Sequence, residues 1–233
     1  MDIKKIKVVA FDKDGTIIEF SSLWIESFLQ YIKAFPIEKR GEIESLVGIQ
    51  GNRVKENSLL AAASLGQIGQ EMAKFLGRSP QAITHELENA FDKAIQENRE
   101  EIKETVDLKK LLRILKEAGL KTALVTADSW TPTLRALDIL QIQEDFDFIA
   151  TGDRYPNKPH PASLDAMAES LGVEREEILF VGDSKVDMEY GNLAGISVGV
   201  LSGVGSRQML ESYGDYVIED LWGILEILEI DKD

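Results

Sequence analysis

The chain has 233 residues, 44% of them hydrophobic, with a formal charge of −15 and no cysteine. That length can bury a substantial core and suits one large domain or one domain carrying an insertion. The missing cysteines exclude disulfides, thiolate metal centres and cysteine nucleophiles, and the acidic excess argues against nucleic acid, whose phosphates are held by clustered Lys and Arg. No stretch approaches the roughly 18 apolar residues needed to cross a bilayer. The N-terminal MDIKKIKVVAFD runs straight into a strand pattern with no signal-peptide architecture, so no membrane partner and a cytoplasmic location are expected.

Taken in chain order, VVAFDKDGTII (8–18) reads as a buried strand that ends on Asp12, Lys13, Asp14, Gly15 and Thr16. From about Ser21 to Asn98 apolar residues recur at three- and four-residue spacing, so this stretch is expected to be helical with no strand in it. Within it Gly77 is a helix stop, and Ser79 with Pro80 an N-cap and first helical position. From Asp107 the texture alternates. Helix DLKKLLRILKEAGL leads to strand KTALVT, helix TPTLRALDIL to strand FDFIA, and helix PASLDAMAESLG to strand EILFVGD. A helix from about Lys185, strand ISVGV, a last DYVI and a terminal helix complete the pattern. Short continuous apolar strands between helices imply a parallel sheet covered on both faces. The expected fold is α/β, a doubly wound Rossmann-like parallel sheet built from residues 1–17 and 101–233, with an all-helical insert at 18–100.

In such sheets the ligand crevice lies beyond the carboxyl ends of the strands, so residues that follow each strand converge. Here those endings carry Asp12 and Asp14, then Thr126 and Asp128, then Lys158 in NKPHP, and Asp183 with Asp187. Two carboxylates about 4 Å apart repel by roughly 4 kcal/mol at an effective dielectric near 20, so a cation must sit among several. Without cysteine and with two histidines the available ligands are hard oxygens, which suit Mg²⁺. A divalent ion, a lysine and a threonine hydroxyl together suit a phosphoryl group. Strand alternation, if extended geometry continues that far, puts Asp12 and Asp14 on one side and turns Lys13 away. Asp12 is placed to attack phosphorus, and Asp14 to move the proton. Gly15 permits a tight departure of the backbone, and Thr16 can tie the turn through its hydroxyl.

The stretch DKDGT, Thr126 in LVTAD, Lys158 in KPHP, and GDSKVD from Gly182 to Asp187 resemble, in order and strand placement, the four motifs of the haloacid dehalogenase superfamily. The insert after the first motif is similar to that family's helical cap, and the layout looks like that of phosphoglycolate phosphatase-like hydrolases. The resemblance implies that Asp12 is the nucleophile and Asp14 the acid and base. It implies that Thr126 and Lys158 hold the phosphoryl group, and that Asp12, the backbone carbonyl of Asp14, and Asp183 bind Mg²⁺. Asp187 would act through water or by orienting Lys158. Ala127 stands where the family often carries Asn. Gly15, Thr16 and Ala127 are expected beside the substrate as well. The implied activity is hydrolysis of a small phosphorylated metabolite, a phosphate monoester, through an aspartyl-phosphate.

The insert is expected to open and close over the site on linkers beside Ile17 and near Glu100 to Asp107. Within it the polar stretch VGIQGNRVKENS, with Asn52, Arg53 and Lys55, is the expected source of substrate contacts. A phosphomutase of the β-phosphoglucomutase type shares every core residue, and a phosphonate hydrolase would need a Schiff-base lysine in the cap. A phospho-receiver module also presents Asp, Thr and Lys at strand ends but is short and uncapped. GVLSGVGSR lacks the lysine of a P-loop and reads as an ordinary strand-to-helix loop, and His85 and His160 as solvated positions.

Overall fold

A computed structural model describes residues 3–19, 22–51, 53–55 and 58–231. The first strand, β1 (Val8–Phe11), is followed by α1 (Ser22–Ile32), α2 (Ile37–Val47), β2 (Ile49–Gln50), β3 (Arg53–Val54), α3 (Leu59–Ala62), α4 (Leu65–Leu76) and α5 (Pro80–Glu97). Then come α6 (Leu108–Glu117), β4 (Lys121–Val125), α7 (Trp130–Leu140), β5 (Phe148–Ala150), α8 (Ala162–Leu171) and β6 (Ile178–Gly182). The chain closes with α9 (Lys185–Gly191), β7 (Ile196–Val200), α10 (Arg207–Tyr213), β8 (Tyr216–Ile218) and α11 (Gly223–Ile227).

Six strands form one sheet in the order β5-β4-β1-β6-β7-β8, every neighbouring pair parallel. Numbered by appearance, these core strands run 3-2-1-4-5-6, the doubly wound order. Every residue of β1 and β6 is buried, which explains why both read as unbroken apolar runs. Alternation sends Val9 and Phe11 into one apolar layer with Leu124, Leu179 and Val181, and Val8 and Ala10 into the other with Ala123, Val125 and Phe180. The winding reverses between β1 and β6, so the crevice opens at their carboxyl ends, where Asp12 and Asp183 follow directly.

In the insert α1 and α4 both pack on α5, and α5 reaches α7 of the sheet-bearing part. As expected, Gly77 ends α4, and Ser79 caps α5 with Pro80 in its first turn. The expectation of no strand in the insert is corrected by the antiparallel β2–β3 pair, which sets Ile49 opposite Val54. Two glycines allow it: Gly48 and Gly51 have φ of 87° and 61°, the left-handed values that a tight reversal requires. Asn52 of the same stretch, and Ser21 at the start of the expected helical run, lie outside the described residues.

Entry to and exit from the insert run side by side. Ile18 and Glu104 form an antiparallel bridge, Glu19 N donates to Lys103 O at 2.9 Å, and Thr105 N donates to Ile17 O at 3.1 Å. Among the described residues no helix is long and apolar enough to cross a membrane.

Candidate active site

Asp12 leaves the sheet last on β1, its N–H still donating to Val181 O at 2.8 Å. Its Oδ1 accepts from Lys158 Nζ at 2.5 Å, and that ammonium also donates to Asp187 Oδ1 at 2.6 Å and to Val125 O at 3.1 Å. All three ammonium donors are therefore used. Asp187 is held in turn by the first turn of α9, where its Oδ2 accepts from Ser184 N at 3.1 Å and Ser184 Oγ at 2.6 Å. Asp183 Oδ2 accepts from Val204 N at 2.7 Å. Val204 belongs to GVLSGVGSR, which is indeed a strand-to-helix loop and gives the site one N–H.

Asp12, Asp183 and Asp187 each offer a carboxylate oxygen, and these oxygens lie within 4.8 Å of one another in a buried cluster. Burial pushes the Asp12 carboxyl up to about 7; Lys158 counters it, while Asp187 and Asp14 add to it. Burial also holds Asp183 well above the carboxylate range, reinforced by Asp187 and Asp12. Burial works against the Lys158 charge, yet Asp12 and Asp187 outweigh it and keep the ammonium above its ordinary value. Three carboxylates against one ammonium leave a deficit of positive charge that a hard divalent cation fits, because the donors are all oxygen.

The raised acids have a consequence for stability. The folded chain binds the Asp12 and Asp183 protons more tightly than the unfolded chain, whose Asp value is near 3.8, so stability falls as pH rises through this window toward about 7. In chelator-treated protein the melting temperature is expected to climb by several degrees between about pH 8 and about pH 6, and added Mg²⁺ to stabilise most at the higher pH. Calorimetry checks this; a melting temperature that drops over that interval would remove the acidic-cluster argument.

Beyond Asp12 the extended geometry stops, which corrects the alternation argument. The carbonyl of Lys13 accepts from the N–H groups of Thr16, Ile17 and Ile18, folding the chain into a turn. Lys13 does not point away: its side chain is wholly buried, with Nζ 2.7 Å from Asp14 Oδ2, 3.1 Å from Asp128 Oδ2 and 5.1 Å from the centre of the Trp24 ring. Burial opposes that charge, but Asp14 and Asp128 outweigh it and hold the ammonium above its ordinary value. Asp14 Oδ1 accepts from Trp24 Nε1 of α1 at 3.1 Å. Thus an insert residue grips the second aspartate. Thr126 Oγ1 accepts from Asp128 N at 3.1 Å, which pins the loop after β4.

Asp12, Asp14, Thr126, Ala127, Lys158, Asp183 and Asp187 all line one cavity of about 90 Å³. Gly15, Thr16 and Arg53, expected at the substrate, are not among its lining residues. Gly15 sits at φ 83° with a Cβ position only 2.5 Å from Asp183 Oδ2, so it makes room for that carboxylate rather than for a ligand. Thr16 is buried with its hydroxyl unpaired, so it does not tie the turn through Oγ1. Arg53 and Lys55 are exposed at the ribbon, which turns them toward water. His85 and His160 are exposed, as expected. The roles of Lys13, Trp24 and Ser184 were missed by sequence reasoning; the legible signal was Lys13 flanked by one acid in sequence and another, Asp128, after the neighbouring strand.

The description "haloacid dehalogenase-like hydrolase" matches residues 9–201 as a family model. A relative from Caldanaerobacter subterraneus, provisionally named pyrophosphatase PpaX, is 30% identical over 228 residues, covering 97% of this chain and 96% of the relative. Among solved structures, a predicted phosphoglycolate phosphatase from Haemophilus somnus superposes with a TM-score of 0.71 at 24% identity, covering 96% of this chain and 98% of that one. A β-phosphoglucomutase from Clostridium difficile gives 0.70 at 21% identity, covering 96% and 97%. At these identities the structural likeness concerns the fold. The family model spans most of the sheet, from β1 to the loop after β7, with all four motifs inside it, and the chain belongs to the haloacid dehalogenase-like hydrolases, enzymes by descent and by layout.

Proposed function

We propose that this enzyme is a Mg²⁺-dependent phosphatase that hydrolyses a small phosphate monoester through an aspartyl-phosphate, in a layout like that of phosphoglycolate phosphatases. The observation that carries the reading is Asp12 at the point where the sheet winding reverses, buried against Lys158 and grouped with Asp183 and Asp187. Asp12 attacks phosphorus as the ester P–O bond breaks, and Asp14 gives its proton to the departing oxygen. Asp14 then takes a proton from the water that attacks the acyl phosphate, which returns Asp12 as a carboxylate and releases phosphate. Lys158 keeps Asp12 oriented and sets its positive charge beside the phosphoryl oxygens, which the Thr126 hydroxyl and the Ala127 loop hold. Asp12, the carbonyl of Asp14 and Asp183 would hold Mg²⁺, which supplies neutralisation of phosphoryl charge.

Residues 18–100 act as a cap in this reading, moving on the paired linkers at Ile17–Glu19 and Lys103–Thr105, and Trp24 brings the cap to Asp14 when the site is closed. The cytoplasm suits a chain with no cysteine and no long apolar segment. Phosphate release from p-nitrophenyl phosphate, with Mg²⁺ and after chelation, tests the reading. Turnover that requires the cation is expected; no release with Mg²⁺, or release indifferent to chelation, contradicts it.

A further inference from the structure

The same cavity has two unlike walls. The sheet side carries the carboxylates and Lys158, whereas the insert side is hydrocarbon: Trp24, Leu60, Leu65, Ile68 and Phe91, with Ala61 and Ala63 between them. Trp24 and Phe91 stack at 5.4 Å, which makes this wall flat and firm. Among the described residues the one cation lining the cavity is Lys158, and its three donors already serve Asp12, Asp187 and Val125. Lys13, next in line, is enclosed between Asp14 and Asp128. Among the described residues no other basic side chain of the insert lines the cavity: Arg53 and Lys55 are exposed, Arg40 holds backbone carbonyls, Lys74 pairs with Glu71 and Arg78 with Glu86. The insert residues outside the described set, Phe20, Ser21, Asn52, Glu56 and Asn57, bring no positive charge.

Resting on the phosphatase reading, we propose that the leaving group is compact, uncharged and largely apolar, and that the insert wall rejects substrates bearing a second phosphate or a carboxylate. An anionic tail reaching past the phosphoryl site would lose its water against carbon, in a cavity that the Asp14 and Asp128 carboxylates also line. The cavity, at about 90 Å³, is far smaller than the roughly 300–1,000 Å³ of pockets for drug-sized ligands, so the leaving group is also small. Pyrophosphate and sugar bisphosphates, which present a second phosphate to this wall, are therefore poor substrates. A phosphonate hydrolase is disfavoured on the same ground, since among the described residues no lysine of the insert lines the cavity.

The experiment compares kcat/KM of the full chain with Mg²⁺ on phenyl phosphate, propyl phosphate, phosphoglycolate and pyrophosphate. The two esters with uncharged leaving groups are expected to lead the two anionic-tailed compounds by at least about 100-fold. A lead by pyrophosphate or phosphoglycolate overturns the inference while leaving the phosphatase reading intact, provided Asp12→Asn abolishes that turnover. A silent panel, or one indifferent to Asp12→Asn, sinks the phosphatase reading itself. As a second arm, Ala61→Lys, at a half-buried position on the wall, is expected to narrow the ratio of phenyl phosphate to pyrophosphate by about tenfold. A folded variant with an unmoved ratio places the discrimination elsewhere and overturns the proposal.

Discussion

Asp12→Asn is expected to lose at least about four orders of magnitude in kcat while keeping its fold. The amide matches the carboxylate in shape but cannot serve as the attacking anion, and its neutrality relieves the crowding with Asp183 and Asp187. The same exchange removes the negative charge that Lys158 reaches at 2.5 Å, although the amide oxygen still accepts and Asp187 at 2.6 Å still pairs with the ammonium. In Mg²⁺-free solution at pH 7.5 or above the variant is therefore expected to melt no lower than the parent. Steady-state phosphate release and calorimetry on the two proteins decide the matter. An Asn variant within tenfold of the parent rate would leave Asp12 without its role.

Lys158→Met produces the opposite balance. Methionine fills much of the lysine stem's volume, but three buried carboxylates then face one another with no fixed cation. Removing one partner of a buried ion pair costs about 3–5 kcal/mol, and here the ammonium has two partners with side-chain exposures of 11% and 3%. Metal-free protein at neutral pH should accordingly lose at least about 3 kcal/mol, with much of it regained at pH 5.5, below the raised value of about 7 at Asp12. Turnover should fall by at least about a thousandfold, because both the orientation of Asp12 and the contact to the phosphoryl group disappear. Denaturant titrations at the two pH values read the first effect and saturation kinetics the second. Equal stability of variant and parent at pH 7.5 would mean that the cluster is hydrated in solution and that the buried-charge argument is wrong.

The sheet was legible because its strands are buried on both faces, so that VVAF, KTALV, ILFVG and ISVGV stand out as short apolar runs whose endings must share one edge. Asp12, Thr126, Lys158 and Asp183 could be brought together on that ground alone, without any knowledge of side-chain orientation. What escaped was whatever depends on how the chain turns after a strand. Period-two alternation fails at Lys13 because the carbonyl there gathers three N–H groups, and the lysine swings inward to Asp128 on the loop after the neighbouring strand. Arg53 looked like a substrate contact because it is basic in an acidic chain, but a two-residue ribbon carries it to the surface. Charge composition says nothing about which way such a ribbon faces. The contact of the Trp24 indole N–H with Asp14 escaped as well, because it depends on how the insert lies across the sheet edge.

Transfer of phosphorus to the Asp12 carboxylate can be caught directly. Enzyme mixed with excess phenyl phosphate and Mg²⁺ would be quenched within a turnover, treated with borohydride, which reduces an acyl phosphate to an alcohol, and mapped by peptide mass. Reduction confined to the side chain at position 12 is the predicted result. Rapid turnover with no reducible adduct at that position, or an adduct on another carboxylate, would contradict the account.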